Sequence, residues 1–331
     1  MTKVVFLLTL LLTPLSVFSS PFSSQTPNLV LVTIDGLRWT EVLDGANLNL
    51  INSPHWVLDT QKIERDFWNE NRQVRRENLM PFLWQQMVPA GVLIGKRNDL
   101  IRAPETERCV RNDDFYQSLS PEVDSMTLWT QRPDQNKSKL LAWLYNTFPP
   151  VGELDPLGAM QQYNFFEKPV KKQISPWPKT RFDSMTYRYA KQSLFLKYQK
   201  VTYVSFGATD MYLHEGEYGQ YLYAARRIDG YVKGLWTLLQ ALPQYRNNTI
   251  LVVVNGHTLK RISSQVTEKT INGYYPMWFA AMGPGIHSVG ELGVNFPLTQ
   301  TQISEMLLML LKENPGIIPS KARVLLREFT S

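Results

Sequence analysis

Four residues of this chain have the types and placement to do chemistry together: Asp35, Asp210, His214 and His257. Asp35 ends the apolar stretch "NLVLVTIDGLRW", in which Leu29, Val30, Leu31, Val32 and Ile34, with only Thr33 among them polar, run into a carboxylate and then a glycine. A buried strand stopped by a turn explains the run, and it leaves the acid at the strand's carboxyl end, where open α/β sheets bind ligands. Asp210 and His214 form D-x-x-x-H behind a second such run, and His257 follows a third. On one helical turn an i, i+4 pair stands about 5–6 Å apart at Cβ, so the two side chains can share one cation. A carboxylate oxygen with an imidazole nitrogen suits zinc, with manganese or magnesium as the alternatives where oxygen dominates.

Each residue also has a plainer reading. An Asp after a strand can cap a helix, and a single His can be an ordinary surface side chain. The chain has only four histidines, and two of them follow strand ends in company with two acids. If Asp35 and Asp210 meet on neighbouring strands 4 Å apart, they repel by roughly 4 kcal/mol at an effective dielectric constant of 20. Either a cation between them or a proton on one of them relieves that repulsion.

The elements that must position these residues alternate in type. Leu79, Phe82, Leu83 and Met87 are at helical spacing, and "GVLIG" (91–95) reads as a short buried strand. A helix follows in "DSMTYRYAKQSLFLKYQ", then the strand "KVTYVSFGATD". From Tyr218 to Ala241 a helix places Leu222, Ala225, Ile228, Val232, Leu235 and Leu239 on one face. "NNTILVVVNGH" and "YPMWFAAMGPGI" are further strands, and "TQTQISEMLLMLLKEN" is a closing helix. Alternation of this kind predicts a doubly wound, mainly parallel sheet with helices on both faces. Proline clusters in 147–158 and 174–183 predict irregular excursions around 111–180, poised to cover the site.

With 331 residues and 44% hydrophobic composition the chain can build a sizeable core. Residues 1–19 carry Lys3, an apolar run of about 14 residues and small residues behind it, the pattern of a signal peptide. Cleavage is expected after Ser19, leaving a domain over 28–331; retention as an anchor is the alternative, disfavoured because the run is short and Pro14 interrupts it. No other run is long enough to span a bilayer. Cys109 is the only cysteine, which excludes an internal disulfide. The formal charge of +6 is spread through "NRQVRREN" (71–78) and "KPVKKQ" (168–173), read as solvated faces rather than a nucleic-acid surface.

At these same residues the sequence resembles the alkaline phosphatase superfamily of phosphatases, phosphodiesterases, sulfatases and phosphomutases. The resemblance runs through "NLVLVTIDGLRWTEVLDGAN", "YVSFGATDMYLHEGEYGQYLYAARRIDGYVKGLWTLLQ", "YRNNTILVVVNGH" and "MWFAAMGPGI", in that order, and is nearest to an exported bacterial branch whose opening is ID-G-R-W-x-E-V-x-x-G. It implies two metal ions, usually zinc, that position a phosphate or sulfate ester and activate a Ser or Thr nucleophile. By position, Asp35 matches a ligand of one metal, Asp210 and His214 match ligands of the other, and His257 matches the histidine of the family's Asp-His-Gly strand end.

The resemblance also has departures. Gly256-His257-Thr258 lacks the family's aspartate, with Asn255 the nearest oxygen that could substitute. A further family histidine should fall near Thr267, where "ISSQVTEKT" has none. The nucleophile segment aligns with "CVRNDDFYQSLSP", which puts Arg111 at the nucleophile position, with Thr106 and Ser118 close by. An arginine there can bind a phosphate or sulfate, or can pair with Asp35 and fill a vacated metal position.

Two functions follow as expectations. One is a metal-dependent phosphoric or sulfuric ester hydrolase with a rearranged site, one metal more than two, and weak or altered activity. The other is a non-catalytic exported descendant that binds a small anion or a protein partner. Both imply export, with the bacterial periplasm as the expected compartment.

Overall fold

A computed structural model describes residues 27–97, 128–129, 182–196, 198–255, 277–294, 298, 300–310 and 320–330. The expected leader (1–19), Thr106, Cys109, Arg111, Ser118, the proline-rich excursions up to 181, the basic run 168–173, His257 and Thr267 lie outside the described residues. The strands are β1 (Asn28–Ile34), β2 (Gly91–Arg97), β3 (Leu128–Trp129), β4 (Val201–Phe206), β5 (Thr249–Asn255), β6 (Phe279–Met282) and β7 (Gly290–Val294). They form one sheet in the order β3-β4-β1-β5-β6-β2-β7. β1 runs parallel to both β4 and β5, β3 parallel to β4, and β2 parallel to β7. β6 alone reverses, pairing antiparallel with β5 and β2. The predicted α/β architecture is therefore what the chain adopts, as a mixed, mostly parallel sheet.

Helices cover both faces, and the period-2 pattern of the central strands shows why. Val30, Val32 and Ile34 of β1 enter one hydrophobic cluster, whereas Leu29 and Leu31 enter another. The first cluster takes α1 (Trp39–Asp44), α2 (Leu48–Ile51), α3 (Thr60–Phe67), α4 (Arg72–Leu79), α5 (Asp183–Leu196), α6 (Ala208–His214) and α7 (Tyr218–Ala241). The second is closed by α8 (Gln300–Leu310) and α9 (Ser320–Phe329) through Ile303, Met306, Leu307, Leu325 and Phe329. All six apolar positions expected to form the inner face of α7 are buried. Burying one such side chain is worth roughly 1.5–3 kcal/mol, so this stripe dictates how α7 lies on the sheet. Among the described residues no helix is long and apolar enough to cross a membrane.

Two local expectations need correction. The helical spacing from Leu79 to Met87 is broken at Pro81: α4 ends at Leu79, and a wider π-type turn runs over Leu83–Met87. The amides of Phe82, just before that turn, and of Leu83, its first residue, donate to the two carboxylate oxygens of Asp229 at 2.7 and 2.9 Å. The run 71–78 is also not simply a solvated face. Arg76 is buried, lies 3.7 Å from the Trp84 ring centroid, and pairs with Glu291 at 3.0 Å. Arg75 lies over Trp68 and donates to the Asp44 carbonyl at 2.6 Å. Stacking and ion pairing let guanidinium groups pack where a lone charge could not.

Candidate active site

The carboxyl ends of β4, β1 and β5 lie side by side, since Ile34 is in register with Phe206 on one flank and with Asn255 on the other. The β1–β4 ladder continues one residue further, with the Asp35 amide donating to the Phe206 carbonyl at 2.8 Å. Asp35 is thereby fixed at the sheet edge beside the turn from β4 into α6. Gly36 then turns the chain with φ +74°, and it lies so close to α6 that a Cβ on it would stand 2.5 Å from Asp210 Cα. The Thr209 hydroxyl donates to the Asp35 carbonyl, tying the two strand ends together again. Two acids 175 positions apart in sequence are thus neighbours, through backbone contacts and one short hydroxyl side chain.

His214 sits one turn beyond Asp210 on α6, as the i, i+4 spacing required, with Nε2 at 3.7 Å from Asp210 Oδ2. Ligands about 2.0–2.2 Å from a tetrahedral zinc stand roughly 3.4 Å from one another. The pair is therefore spaced to share an ion after only a small adjustment, and the half-exposed imidazole leaves the approach open. Oδ1 of Asp35 is sealed from solvent and receives no hydrogen bond. Among the described residues no three Asp, Glu, His or Cys side chains already converge as a metal cage. The strand that leads to His257 ends at Asn255, beside Ile34.

A third acid, unforeseen from sequence, belongs to this centre. Asp183, the first residue of α5, is buried, and its two oxygens accept the amides of Gly207 and Ala208 at 2.9 and 3.1 Å. It caps α6, not its own helix. Burial pushes the Asp183 carboxyl up to about 6, although the two amides and Arg227 pull it down. For Asp35, burial first, and then the negative charges of Asp210 and Asp183, push the carboxyl well above the usual carboxylate range. Nothing in the sequence pairs Asp183 with a helix starting 25 residues later; it reads as an ordinary acid opening α5.

Asn255 does not stand free to replace the missing aspartate. It is buried, and its Oδ1 accepts the Trp278 amide at 2.9 Å, while the Trp278 indole donates to the Leu37 carbonyl at 3.2 Å. That side chain ties β5 to the start of β6. The R-W-x-E part of the opening motif is also structural. Arg38 and Glu41 form a buried, two-pronged ion pair, joined by the hydroxyls of Thr40 and Tyr218. The Arg38 amide donates to the Tyr221 hydroxyl, and that of Asn47 to Tyr218. The motif thus anchors the loop behind Asp35 to α7.

No protein-family model matches the sequence, and no curated protein matches it. Among solved structures, the chain is similar to an alkaline phosphatase superfamily protein from Vibrio parahaemolyticus, at 13% identity over 87% of this chain and 67% of that one, with a TM-score of 0.47. The lipoteichoic acid synthase LtaP from Listeria monocytogenes is similar at 11% identity, over 88% and 73% of the two chains, with a TM-score of 0.49. Murine ectonucleotide pyrophosphatase/phosphodiesterase 5, an inactive form in complex with AMP, gives 10% identity over 92% and 100%, with a TM-score of 0.46. With all three scores below 0.5, the function has to be argued from this chain's own residues.

Proposed function

We propose that this protein is an exported, metal-assisted hydrolase of phosphoric or sulfuric esters with a rearranged active site, descended from the alkaline phosphatase superfamily. The observation that carries the reading is the delivery of Asp35 and Asp210 to one point by adjacent parallel strands, with a buried Asp35 oxygen that has no hydrogen bond. A carboxylate oxygen in that position is costly unless a cation or a proton meets it. Asp210 and His214 are the residues to hold a divalent ion, zinc first and manganese or magnesium as alternatives, with His257 as the further ligand that the sequence resemblance implies. Such an ion supplies Lewis-acid polarisation of a phosphoryl or sulfuryl oxygen. Asp35, with its raised proton affinity, holds a second positive charge or a proton beside it. Arg111, at the nucleophile position of the resemblance, has the fork geometry to bind the oxyanion of the ester.

A second reading, a non-catalytic anion-binding descendant, is favoured by two observations. By the sequence resemblance, Arg111 aligns with the family's hydroxyl nucleophile, and the Asn255 oxygen is held by the Trp278 amide. Elemental analysis of the purified mature protein, paired with assays on aryl phosphate, phosphodiester and sulfate esters under added zinc, manganese and magnesium, separates the two. The hydrolase reading expects stoichiometric metal that is lost in His214→Ala, and turnover above that of Asp210→Ala. Metal-free protein with no turnover above that control removes it.

A further inference from the structure

The turn from β4 into α6 that delivers Asp210 is held from three directions, and one of the three holds comes from a distant, buried acid. Gly36 packs against the Asp210 Cα, the Thr209 hydroxyl is bonded to the Asp35 carbonyl, and the two residues that open the turn, Gly207 and Ala208, give their amides to one carboxylate. That carboxylate, Asp183, shares each oxygen with one amide, in a fork that fixes the peptide plane between β4 and α6. No other side chain is recorded on those two amides among the described residues. α6 is only seven residues long, so a small rotation of its first turn carries Asp210 and His214 together.

We propose that Asp183 is a positioning residue for the metal pair: its fork on the Gly207 and Ala208 amides sets the direction in which α6 presents Asp210 and His214. The inference rests on the metal-site reading above, and it assigns Asp183 no contact with substrate or ion. Its action is through geometry. Charge-assisted bonds to backbone amides are roughly twice as strong as neutral ones, and replacing one oxygen by an amide nitrogen sets a donor against a donor. Asp183→Asn therefore keeps the volume and one bond and loses the fork. A catalytic constellation tolerates only about half an ångström of misplacement.

The test compares wild type, Asp183→Asn, Asp183→Ala and, as a control for loss of a buried helix-capping acid elsewhere, Asp229→Asn. Zinc and manganese affinities are measured by chelator competition, melting temperature by calorimetry, and amide exchange over 207–214 by mass spectrometry. The expected result is a 10-fold or greater loss of zinc affinity in Asp183→Asn, with faster exchange at 207–210, while Asp229→Asn binds zinc as wild type does. Asp183→Ala is expected to lose more on both counts, but the conclusion does not require it to fold. Zinc affinity within twofold of wild type in a folded Asp183→Asn overturns the positioning role. If wild type itself binds neither metal, the metal reading falls, and exchange alone decides whether Asp183 sets α6: unchanged exchange at 207–214 refutes it, and faster exchange upholds it.

Discussion

Gly36 and Asp210 are in backbone contact: a Cβ added to Gly36 would stand 2.5 Å from Asp210 Cα and 2.7 Å from its amide nitrogen. With φ +74° at Gly36, both the space and the dihedral angle demand glycine. This contact, more than any side-chain interaction, makes the two acids of the proposed site neighbours.

Gly36→Ala consequently has two costs, left-handed backbone strain and a collision with backbone atoms that cannot rotate away. Together they predict a loss of about 2–4 kcal/mol in urea unfolding, and α6 has to shift to admit the methyl group. The companion measurement is zinc affinity, expected to fall even under conditions where the variant is fully folded. Wild-type stability and affinity in this variant would mean that the strand ends do not meet as described.

The Arg38–Glu41 pair makes a contrasting case, since it lies in the same loop but faces α7. Glu41→Gln leaves a buried guanidinium without its counter-charge, which predicts a destabilisation of about 3–5 kcal/mol. Arg38→Met combined with Glu41→Gln removes both charges, and the double variant is expected to recover most of that loss. Chemical denaturation of the two singles and the double measures it. A double variant as unstable as the sum of the singles would show that the ion pair itself, not the avoidance of a lone charge, holds the loop.

Acid titration gives an independent check on the buried carboxyls. Asp183 and Asp229 are raised from 3.8 to about 6 and about 7, both chiefly by burial, and Asp35 is raised as well. Between the unfolded and folded values the native state binds more protons than the unfolded chain. Their contribution to stability is full below about 4 and is lost as pH rises towards 7, with a slope of up to about 1.4 kcal/mol per pH unit for each group. Urea midpoints should fall from pH 5 to pH 7.5, and Asp229→Asn should flatten that fall. Stability that instead rises across this window in wild type, with Asp229→Asn no different, would contradict the burial of these acids.

How far the sequence revealed this arrangement depends on how local each signal is. β1, β4 and β5 are visible because both faces of each strand are buried, giving largely apolar, β-branched and aromatic runs, and α7 is visible because six apolar residues repeat at helical spacing. Asp210 and His214 could be paired because they are one turn apart. The short helices α1 to α4 and the last helix α9 each bury only an apolar residue or two among those described, at i, i+4 spacing for Ile63 and Phe67 in α3 and for Leu325 and Phe329 in α9, too few to repeat along a face; α4 reads as a charge run because Arg75 and Arg76 pack on indole rings rather than on aliphatic neighbours. The reversal of β6 depends on register with two strands distant in sequence, Leu251↔Met282 and Gly91↔Met282, which no local pattern specifies. Asp183 escaped for the same reason: its partners are backbone amides, which carry no residue identity.

Asp35 joins the fold to the proposed chemistry, and its substitution separates them. One oxygen of its carboxyl is sealed from solvent without a hydrogen bond, and burial with the charges of Asp210 and Asp183 raises its affinity for a proton. Each unit of raised pKa corresponds to about 1.4 kcal/mol between protonation states. Asp35→Asn removes the need for a proton, and near pH 8 it should stabilise the metal-free protein. The gain should fade towards pH 4, where the wild-type carboxyl is neutral too. Zinc should reverse the order: a ligand at 100 times its dissociation constant stabilises the native state by about 2.7 kcal/mol, and the variant, one negative charge short, should gain less than wild type. Melting curves for both proteins at pH 4 and 8, with zinc and with chelator, contain all four comparisons. An Asp35→Asn protein less stable than wild type in chelator at pH 8 would mean that the carboxylate is satisfied within the fold, and that the acid at the end of β1 serves structure alone.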